Sequence, residues 1–228
     1  MQRIILVTGA NRGIGRELAA QLSADGETVL LAARDFDAAT KAATEIGGNV
    51  FPVLLDVSDQ ISVDAAVNKI TEEYGYIDVL VNNVGGIFDY SQLASTADLE
   101  IVQQALEINF FSTWRVIQAM LPLLRKAKAA RIVNLSSEKA SLERMSAGTP
   151  AYSTSKVALN ALTRNFAAEL INEGITVHAV CPGWTATDLG GEGGRPASEA
   201  AASIRTVINL PFDSTTGRFF QDGKILPW

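Results

Sequence analysis

Short apolar runs alternate with amphipathic stretches along the whole chain. The runs are rich in β-branched residues and end at turn residues, a pattern typical of strands buried on both faces. They predict six strands, near residues 3–8, 27–33, 50–55, 77–82, 130–136 and 175–181. Apolar residues that recur every three or four positions predict helices near 13–24, 37–46, 60–74, 97–107, 110–127, 153–173 and 197–208.

This alternation predicts an α/β fold with one parallel sheet covered by helices on both faces. We expect a Rossmann-type, doubly wound sheet in a single domain over residues 1–228, since neither a repeat nor a linker interrupts the pattern. In such a sheet the ligand crevice lies at the carboxyl ends of the strands. Residues that directly follow the strands are therefore the candidates for a functional site.

A glycine-rich turn joins the first predicted strand to the first predicted helix. Residues without Cβ atoms let the backbone approach a pyrophosphate, and the helix N-terminus offers N–H groups and a positive dipole end. The order of strand, glycine turn and helix favours dinucleotide binding over an ordinary connection. The candidate contacts are Gly9, Asn11, Arg12, Gly13, Ile14 and Gly15.

Tyr152 and Lys156 are four positions apart in a predicted helical segment. On a helix this spacing places both side chains on the same face. The ammonium favours the phenolate, so we expect the pKa of Tyr152 to fall below its usual ~10. The pair then has the chemistry of a proton donor to a carbonyl or an acceptor from an alcohol.

The glycine turn and this pair, with other motifs in order, resemble the short-chain dehydrogenase/reductase family. The other motifs are Asp56-Val57, Asn82-Asn83-Val84-Gly85, Asn109, Asn134-Leu135-Ser136-Ser137 and Pro182-Gly183-Trp184-Thr185-Ala186-Thr187. They span almost the whole chain, and the C-terminal residues 216–228 resemble the carbonyl-reductase-like members. The resemblance implies an oxidoreductase that transfers a hydride between a nicotinamide and a carbonyl or alcohol substrate.

The resemblance also implies a catalytic set of Asn109, Ser137, Tyr152 and Lys156. Tyr152 would donate the proton to the substrate oxygen, and a serine hydroxyl, assigned to Ser137, would hold that oxygen in place. Lys156 would lower the pKa of the tyrosine and bind the nicotinamide ribose. Asn109 would hold a water that links Lys156 to solvent.

The serine assignment leaves alternatives. Ser137 stands fifteen positions before Tyr152, a longer separation than in many members of the family. The segment between them, which we expect to loop out, also contains Ser141 and Ser146.

Further cofactor contacts are implied after the later strands. Asp56 would accept a hydrogen bond from the adenine amino group, beside the backbone of Val57. Thr185 and Thr187 would contact the carboxamide of the nicotinamide, which implies pro-S hydride transfer. The contacts assigned by this resemblance are Asp56, Val57, Asn83, Val84, Gly85, Tyr152, Lys156, Pro182, Gly183, Thr185 and Thr187.

The end of the second predicted strand bears on cofactor choice. A carboxylate there would bind the ribose of NAD and repel a 2′-phosphate, but the strand ends in Ala33 and is followed by Arg34. Arg12 lies in the nearby glycine turn, and two guanidinium groups can hold a phosphate by charge-assisted hydrogen bonds. We therefore predict NADP(H) as the cofactor.

Composition limits the other partners. The net charge of −6 argues against nucleic acid and anionic membrane. No apolar run reaches the ~18 residues of a membrane span, and the first strand begins almost at once, so we expect neither a span nor a signal peptide. One cysteine, Cys181, fits a reducing compartment, and we expect a cytoplasmic protein. No cluster of ligand residues has metal-binding spacing, so we expect no metal.

The substrate stays open among small carbonyl and alcohol compounds. The same motifs fit a 3-oxoacyl carrier-protein reductase or a sugar dehydrogenase. A basic patch near the pocket would favour the carrier protein, and the cluster to consider is Arg125, Lys126 and Lys128. A third alternative is a dinucleotide-sensing protein without turnover, which the intact catalytic set argues against.

Two other features concern the surface. The glycine-rich residues 190–194 form either a lid over the substrate or a flexible surface loop. The chain lacks the long insertion before the active-site tyrosine that covers the oligomerisation helices in some carbonyl-reductase-like members. We therefore expect helices near 110–127 and 153–173 to pair in a homodimer or homotetramer.

Overall fold

The computed structural model describes residues 2–212 and 215–228. Within these residues, one sheet contains β1 (Ile4–Thr8), β2 (Thr28–Ala33), β3 (Val50–Leu54), β4 (Val79–Asn82), β5 (Ala130–Leu135), β6 (Ile175–Val180), β7 (Phe219–Gln221) and β8 (Lys224–Ile225). The strand order is β3-β2-β1-β4-β5-β6-β7-β8, and the pairs are parallel except β7 with β8. The predicted α/β fold of Rossmann type is confirmed.

The strand order reverses between β1 and β4. From β1 the chain moves outward to β2 and β3 and then crosses back to β4, on the other side of β1. Val7 of β1 pairs with Val81 of β4, so the residues that follow these strands emerge side by side. Parallel strands end at the same edge of a sheet, and the reversal opens a crevice at that edge.

Helices cover both faces of the sheet. One face carries α1 (Gly13–Ala24), α2 (Phe36–Ile46) and α7 (Ala197–Ile208), and the other carries α3 (Gln60–Glu73), α5 (Ser112–Leu124) and α6 (Pro150–Leu170), with α4 (Leu99–Leu106) packed on α6. Along β1, Leu6 belongs to the core on the α5 side, whereas Ile5 and Val7 belong to the core on the α1 side. Burial on both faces explains why the central strands read as continuous apolar runs.

One helical run continues where the sequence predicts a break. A π-helical turn, Glu107–Phe111, joins α4 directly to α5, so the prediction of separate helices near 97–107 and 110–127 is wrong. The wide turn places Asn109, a poor helix former, fully inside the protein. Among residues 2–212 and 215–228, no helix combines the length and the apolar character needed to cross a membrane.

The apolar pattern predicts no strand after residue 181, yet β7 and β8 extend the sheet there. Val180 of β6 pairs with Phe220 of β7, and the turn to β8 has Asp222 at a φ of 50°. The available signal is the buried pair Phe219-Phe220 just before Asp222-Gly223, an apolar run followed by a turn dipeptide. Strands this short show no periodicity, so pairing with β6 defines them rather than their local pattern.

Candidate active site

The glycine turn lies between β1 and α1, at the crevice. Gly9 and Gly13 have φ angles of 61° and 55°, in the left-handed region that favours glycine. Arg12 is the N-cap residue of α1 and makes no side-chain cap hydrogen bond. The N–H groups of the first turn of α1 therefore keep their capacity to bind an anion, as a pyrophosphate requires.

Asn83, which directly follows β4, stabilises the glycine turn. Nδ2 of Asn83 donates to the carbonyl oxygens of Thr8 at 2.8 Å and Gly9 at 3.0 Å, and the Asn83 N–H donates to Oγ1 of Thr8 at 3.0 Å. A Cβ on Gly15 would lie 2.6 Å from Nδ2 of Asn83 and 2.8 Å from Cα of Ala10, so α1 packs this closely only because residue 15 is glycine. Thr8, which stands directly before Gly9 in the glycine motif, is thus part of the site.

The ends of β2 and β3 form the other side of the crevice. β2 ends in the buried Ala33, and Arg34 beyond it is exposed. The nearest carboxylate in sequence, Asp35, accepts a hydrogen bond from a backbone N–H in the first turn of α2. Hydrogen bonds from Ser58 lower the pKa of Asp56, and the nearby Arg34 lowers it further. Arg34 therefore stands beside Asp56, and the strand end carries no acidic residue.

Tyr152 lies in the first turn of α6. The helix begins at Pro150, three residues earlier than predicted, because proline at the first helical position leaves no N–H unsatisfied. Tyr152 and Lys156 are therefore one helical turn apart on the same helix, as the spacing predicts. Tyr152 is 7% exposed and lines a cavity at the carboxyl ends of the strands.

Ser137 follows β5 and faces the same cavity. Its Oγ accepts a hydrogen bond from the N–H of Lys139 at 3.2 Å, and its hydroxyl lies near enough to the phenol of Tyr152 to lower the pKa of that phenol. The hydroxyl of Ser136 is committed elsewhere, because it donates at 2.7 Å to a buried asparagine side chain. Neither Ser141 nor Ser146 lines the cavity. Of the candidate serines, Ser137 is the one that the fold brings to Tyr152.

Lys156 lies beside the ring of Tyr152. Its Nζ donates to the carbonyl oxygen of Leu135 at 2.8 Å and is 5.9 Å from the centre of the Tyr152 ring. A Cβ on Gly85 would lie 3.3 Å from this Nζ and 3.2 Å from Oδ1 of Asn109. The ends of β4 and β5, the π-helical turn and α6 therefore converge on the Lys156 ammonium.

Burial raises the pKa of Tyr152 to about 12, and the nearby Ser137 hydroxyl opposes the rise. Burial also lowers the pKa of Lys156 to about 8. The prediction that the pKa of the phenol falls is therefore wrong for the protein by itself, because removing the phenol from water is the largest influence on its pKa. At neutral pH the phenol keeps its proton, which is the form that protonates a carbonyl oxygen.

The side chain of Asn109 holds the segment after β4. Its Oδ1 accepts from the N–H of Gly86 at 3.0 Å, and its Nδ2 donates to the oxygen of Gly86 at 2.9 Å and to Oγ of Ser155 at 3.0 Å. These bonds satisfy the buried amide. The predicted role of Asn109, holding a water that links Lys156 to solvent, stays a prediction.

The cavity above Tyr152 has a volume of about 430 Å³, and its walls are mainly apolar, although Glu138, Lys139 and Arg144 also line it. On one side the Phe88 ring lies 4.6 Å from the Tyr152 ring, and Tyr90 continues the wall. On the other side stands Trp184, 64% exposed and therefore a wall of the cavity rather than part of the core. Both aromatic residues belong to the segment 86–93, which stands shortly after the Asn82-Asn83-Val84-Gly85 motif in the sequence.

The turn after β6 faces the glycine turn across the crevice. The predicted contacts Pro182, Gly183, Thr185 and Thr187 all line the cavity. A Cβ on Gly13 would lie 3.5 Å from Cγ2 of Thr187, so the two turns approach each other closely. The fold thus brings the residues predicted for the nicotinamide end of a cofactor to the side of the cavity where Tyr152 and Ser137 stand.

Hydrogen bonds stabilise the glycine-rich loop, residues 190–194, that follows this turn. Nε1 of Trp184 donates to the oxygen of Gly190 at 2.8 Å, and the N–H of Gly190 donates to Oγ1 of Thr187 at 3.2 Å. Asp188 forms an exposed salt bridge with Arg12. These contacts make the loop a wall of the site, and whether it opens as a lid stays a prediction.

Cys181 is a buried free thiol at the end of β6. Burial raises its pKa, and its Sγ accepts N–H hydrogen bonds from Glu138 at 3.2 Å and Gly183 at 3.4 Å. Across the part of the chain that the structure describes, no three His, Cys, Asp or Glu residues are grouped to hold a metal ion.

Comparisons with known proteins agree with this geometry. The family model of the short chain dehydrogenases matches residues 3–196. The chain is 33% identical over 187 residues to 3-oxoacyl-(acyl-carrier-protein) reductase FabG of Escherichia coli (strain K12), covering 82% of this chain and 75% of that protein. It is 33% identical over 215 residues to galactitol 2-dehydrogenase of Agrobacterium fabrum, covering 90% and 82%. The NADPH-bound carbonyl reductase from chicken fatty liver superposes with a TM-score of 0.89 at 29% identity, covering 100% and 99% of the two chains. With its ordered motifs gathered at one crevice, this chain belongs to the short-chain dehydrogenase/reductase family of nicotinamide-dependent oxidoreductases.

Proposed function

We propose that the protein reduces ketones or aldehydes with NADPH, with Tyr152 as the proton donor. The observation that carries the proposal is the convergence of the Tyr152 and Ser137 hydroxyls on one apolar cavity beside the glycine turn. The test is loss of NADPH absorbance with a panel of carbonyl compounds. Turnover with at least one aromatic ketone or aldehyde is expected, and binding of NADPH without any turnover across the panel would support the sensing alternative instead.

The mechanism follows from the positions of the side chains. A reduced nicotinamide, when bound, supplies the hydride. Ser137 donates a hydrogen bond to the substrate oxygen as negative charge develops there. Tyr152, protonated at neutral pH, gives its proton to that oxygen. Lys156 stabilises the phenolate left behind, because its ammonium lies 5.9 Å from the ring centre.

The preference for NADPH is supported by the end of β2. Ala33 supplies no carboxylate, the carboxylate of Asp35 caps α2, and Arg34 stands exposed beside Asp56. Arg12 pairs with Asp188, but an exposed salt bridge contributes little, and a phosphate can replace the carboxylate. The solved carbonyl reductase with NADPH bound is consistent with this choice.

Arg34→Ala is expected to weaken NADPH binding roughly 10- to 100-fold while leaving NADH binding within twofold, since a hydrogen bond to a charged group is worth about 1.5–3 kcal/mol. Calorimetric titration with each cofactor measures both affinities. Arg16→Ala, which removes a half-buried arginine of α1 paired with Glu45, is the matched control. Equal losses for NADPH and NADH, or a loss as large in the control, would contradict the role of Arg34.

We further propose that the substrates carry a flat apolar group, because Phe88, Tyr90 and Trp184 border the cavity. Trp184→Ala is expected to raise KM for aryl ketones roughly tenfold, as loss of an aromatic contact worth about 1.5 kcal/mol would. KM for a short aliphatic aldehyde serves as the control and should change little. A parallel rise for both substrates would argue for a general defect of the turn rather than for a lost wall.

A carrier-protein substrate is the second candidate, favoured by the 33% identity to a 3-oxoacyl-(acyl-carrier-protein) reductase. The basic cluster considered for it stands just before β5, at the amino edge of the sheet and away from the cavity edge. One of its members, Arg125, also makes a two-point salt bridge with Glu173. These three residues are therefore not placed to meet a carrier protein at the cavity, and the basic residues that line the cavity are Lys139 and Arg144. Galactitol 2-dehydrogenase has a polyol as its named substrate, and the apolar walls of this cavity argue against that class here.

Residues 1–228 are proposed to act as one NAD(P)-binding unit in the cytoplasm, with no nucleic acid, membrane or metal partner. We also propose a homodimer or homotetramer formed through the π-helical turn, α5 and α6. Phe111 and Trp114 support this because they expose 46% and 37% of their surface on that side. The test is light scattering, and a monomeric mass would overturn the oligomer.

A further inference from the structure

Residues 86–92, which follow β4, are fastened to the start of α6 by three separate contacts. The two carboxylate oxygens of Asp89 accept hydrogen bonds from the backbone N–H groups of Ala151 at 2.9 Å and Tyr152 at 3.0 Å. The Phe88 ring lies 4.6 Å from the Tyr152 ring. Gln92 forms a β-bridge with Gly148, just before the helix. One carboxylate therefore joins a wall of the cavity to the helix turn that carries the proton donor.

The carboxylate meets donors that the helix itself leaves unpaired. The first N–H groups of an α-helix have no partner within the helix. Thr149, the N-cap residue of α6, makes no side-chain cap hydrogen bond to the backbone; its hydroxyl bonds to that of Ser153 at 2.9 Å instead. Asp89 performs the capping from 62 residues away in sequence, and its negative charge suits the positive end of the helix dipole.

The backbone around Asp89 is held in an uncommon conformation. Ile87 and Ser91, two residues before and after Asp89, have φ angles of 56° and 61°. A β-branched residue such as isoleucine rarely adopts this region, and it persists only where surrounding contacts impose it. Asp89 lies between these two residues in sequence, and its hydrogen bonds to α6 supply such contacts.

We propose that Asp89 is a positioning residue, whose carboxylate fixes the Tyr152 phenol and the Phe88 wall relative to each other. It acts through Tyr152 and the cavity wall and does not itself contact substrate. The inference rests on the proposed reductase function for its kinetic consequence, but the structural link to α6 is independent of it. Misplacing a catalytic group by about 1 Å can cost roughly 100-fold in rate.

The test compares Asp89→Ala, Asp89→Asn and the control Asp98→Ala. Asp98 also caps a helix, by accepting from the N–H of Glu100 at 2.9 Å, and its loss removes the cap of α4 while both bonds from Asp89 to α6 stay in place. For Asp89→Ala we expect kcat to fall roughly 10- to 100-fold. NADPH affinity should stay within twofold, since the glycine turn is untouched. Asp89→Asn keeps one acceptor oxygen and should recover part of kcat.

Hydrogen exchange supplies a measurement that needs no turnover. The amides of Ala151 and Tyr152 should exchange faster in Asp89→Ala than in the wild-type protein, and should be unchanged in Asp98→Ala. This result keeps the inference testable even if the reductase proposal fails. Unchanged exchange at both amides would overturn the role of Asp89, as would kcat in Asp89→Ala equal to that of the control.

Discussion

Tyr152→Phe is expected to lower kcat for carbonyl reduction by roughly 10²- to 10⁴-fold, the usual contribution of a positioned general acid. The variant removes only the hydroxyl, so the ring contact with Phe88 and the packing at the start of α6 are retained. NADPH affinity should change little, because the glycine turn and the end of β2 are untouched. Steady-state rates and calorimetric titration of the same preparation separate the two effects.

Tyr76→Phe provides the matched control for this experiment. Tyr76 is a partly exposed tyrosine between α3 and β4, at the edge of the sheet away from the cavity. The same loss of a hydroxyl there should leave turnover and binding unchanged. Turnover that survives in Tyr152→Phe would assign the proton donor to another group and refute the mechanism.

Lys156→Met is expected to lower kcat roughly 10²-fold or more, the usual cost of losing a group that stabilises charge in the transition state. The substitution keeps the volume of the stem but removes the ammonium beside the Tyr152 ring and its bond to the Leu135 carbonyl. NADPH affinity should also fall if Lys156 holds the ribose. Wild-type kcat with intact folding would show that the ammonium plays no part in the reaction.

The same variant tests the burial of the ammonium through pH-dependent stability. The pKa of Lys156 is lowered to about 8 in the folded protein, against 10.5 for an unperturbed lysine. Below about pH 8 the folded and unfolded states both hold the proton, and the full cost of burying the charge is present. As pH rises from about 8 to 10.5, the folded state loses the proton first, so the stability of the wild-type protein rises relative to Lys156→Met.

The expected change across this window is on the order of 3 kcal/mol in the difference between the two free energies of unfolding. Urea denaturation at a series of pH values measures it. A difference independent of pH would show that Lys156 keeps an ordinary pKa, in contact with water.

The sequence predicts the features that depend on local pattern. The apolar runs locate β1, β2, β4, β5 and β6 because these strands are buried on both faces, and they locate the edge strand β3 although it exposes Phe51 and Leu54. The glycines after β1 identify the turn. The spacing of Tyr152 and Lys156 predicts their common face, since helical periodicity fixes it. Ser137 and Thr187 each follow a parallel strand, and parallel strands end at the same edge of a sheet. The sequence therefore predicts that both residues lie at the same crevice, as they do.

The features that the sequence misses depend on contacts between distant segments. The hydrogen bonds from the start of α6 to Asp89 join residues that are 62 and 63 positions apart in sequence, and no local pattern predicts them. The wrong expectation for the pKa of Tyr152 has the same origin, because helical spacing reports the neighbouring ammonium but not the burial that outweighs it. The π-helical turn at Asn109 and the pairing of β7 with β6 are likewise imposed by the surrounding fold.

The most direct test of the account follows an isotope from cofactor to product. The protein is incubated with NADPH deuterated at its pro-S position and a panel of aryl ketones and aldehydes, and the alcohols are analysed by mass spectrometry. The account predicts an alcohol with deuterium on the former carbonyl carbon. Absence of any alcohol across the panel while NADPH binds would contradict the reductase assignment, and an alcohol without deuterium would contradict the predicted face of hydride transfer.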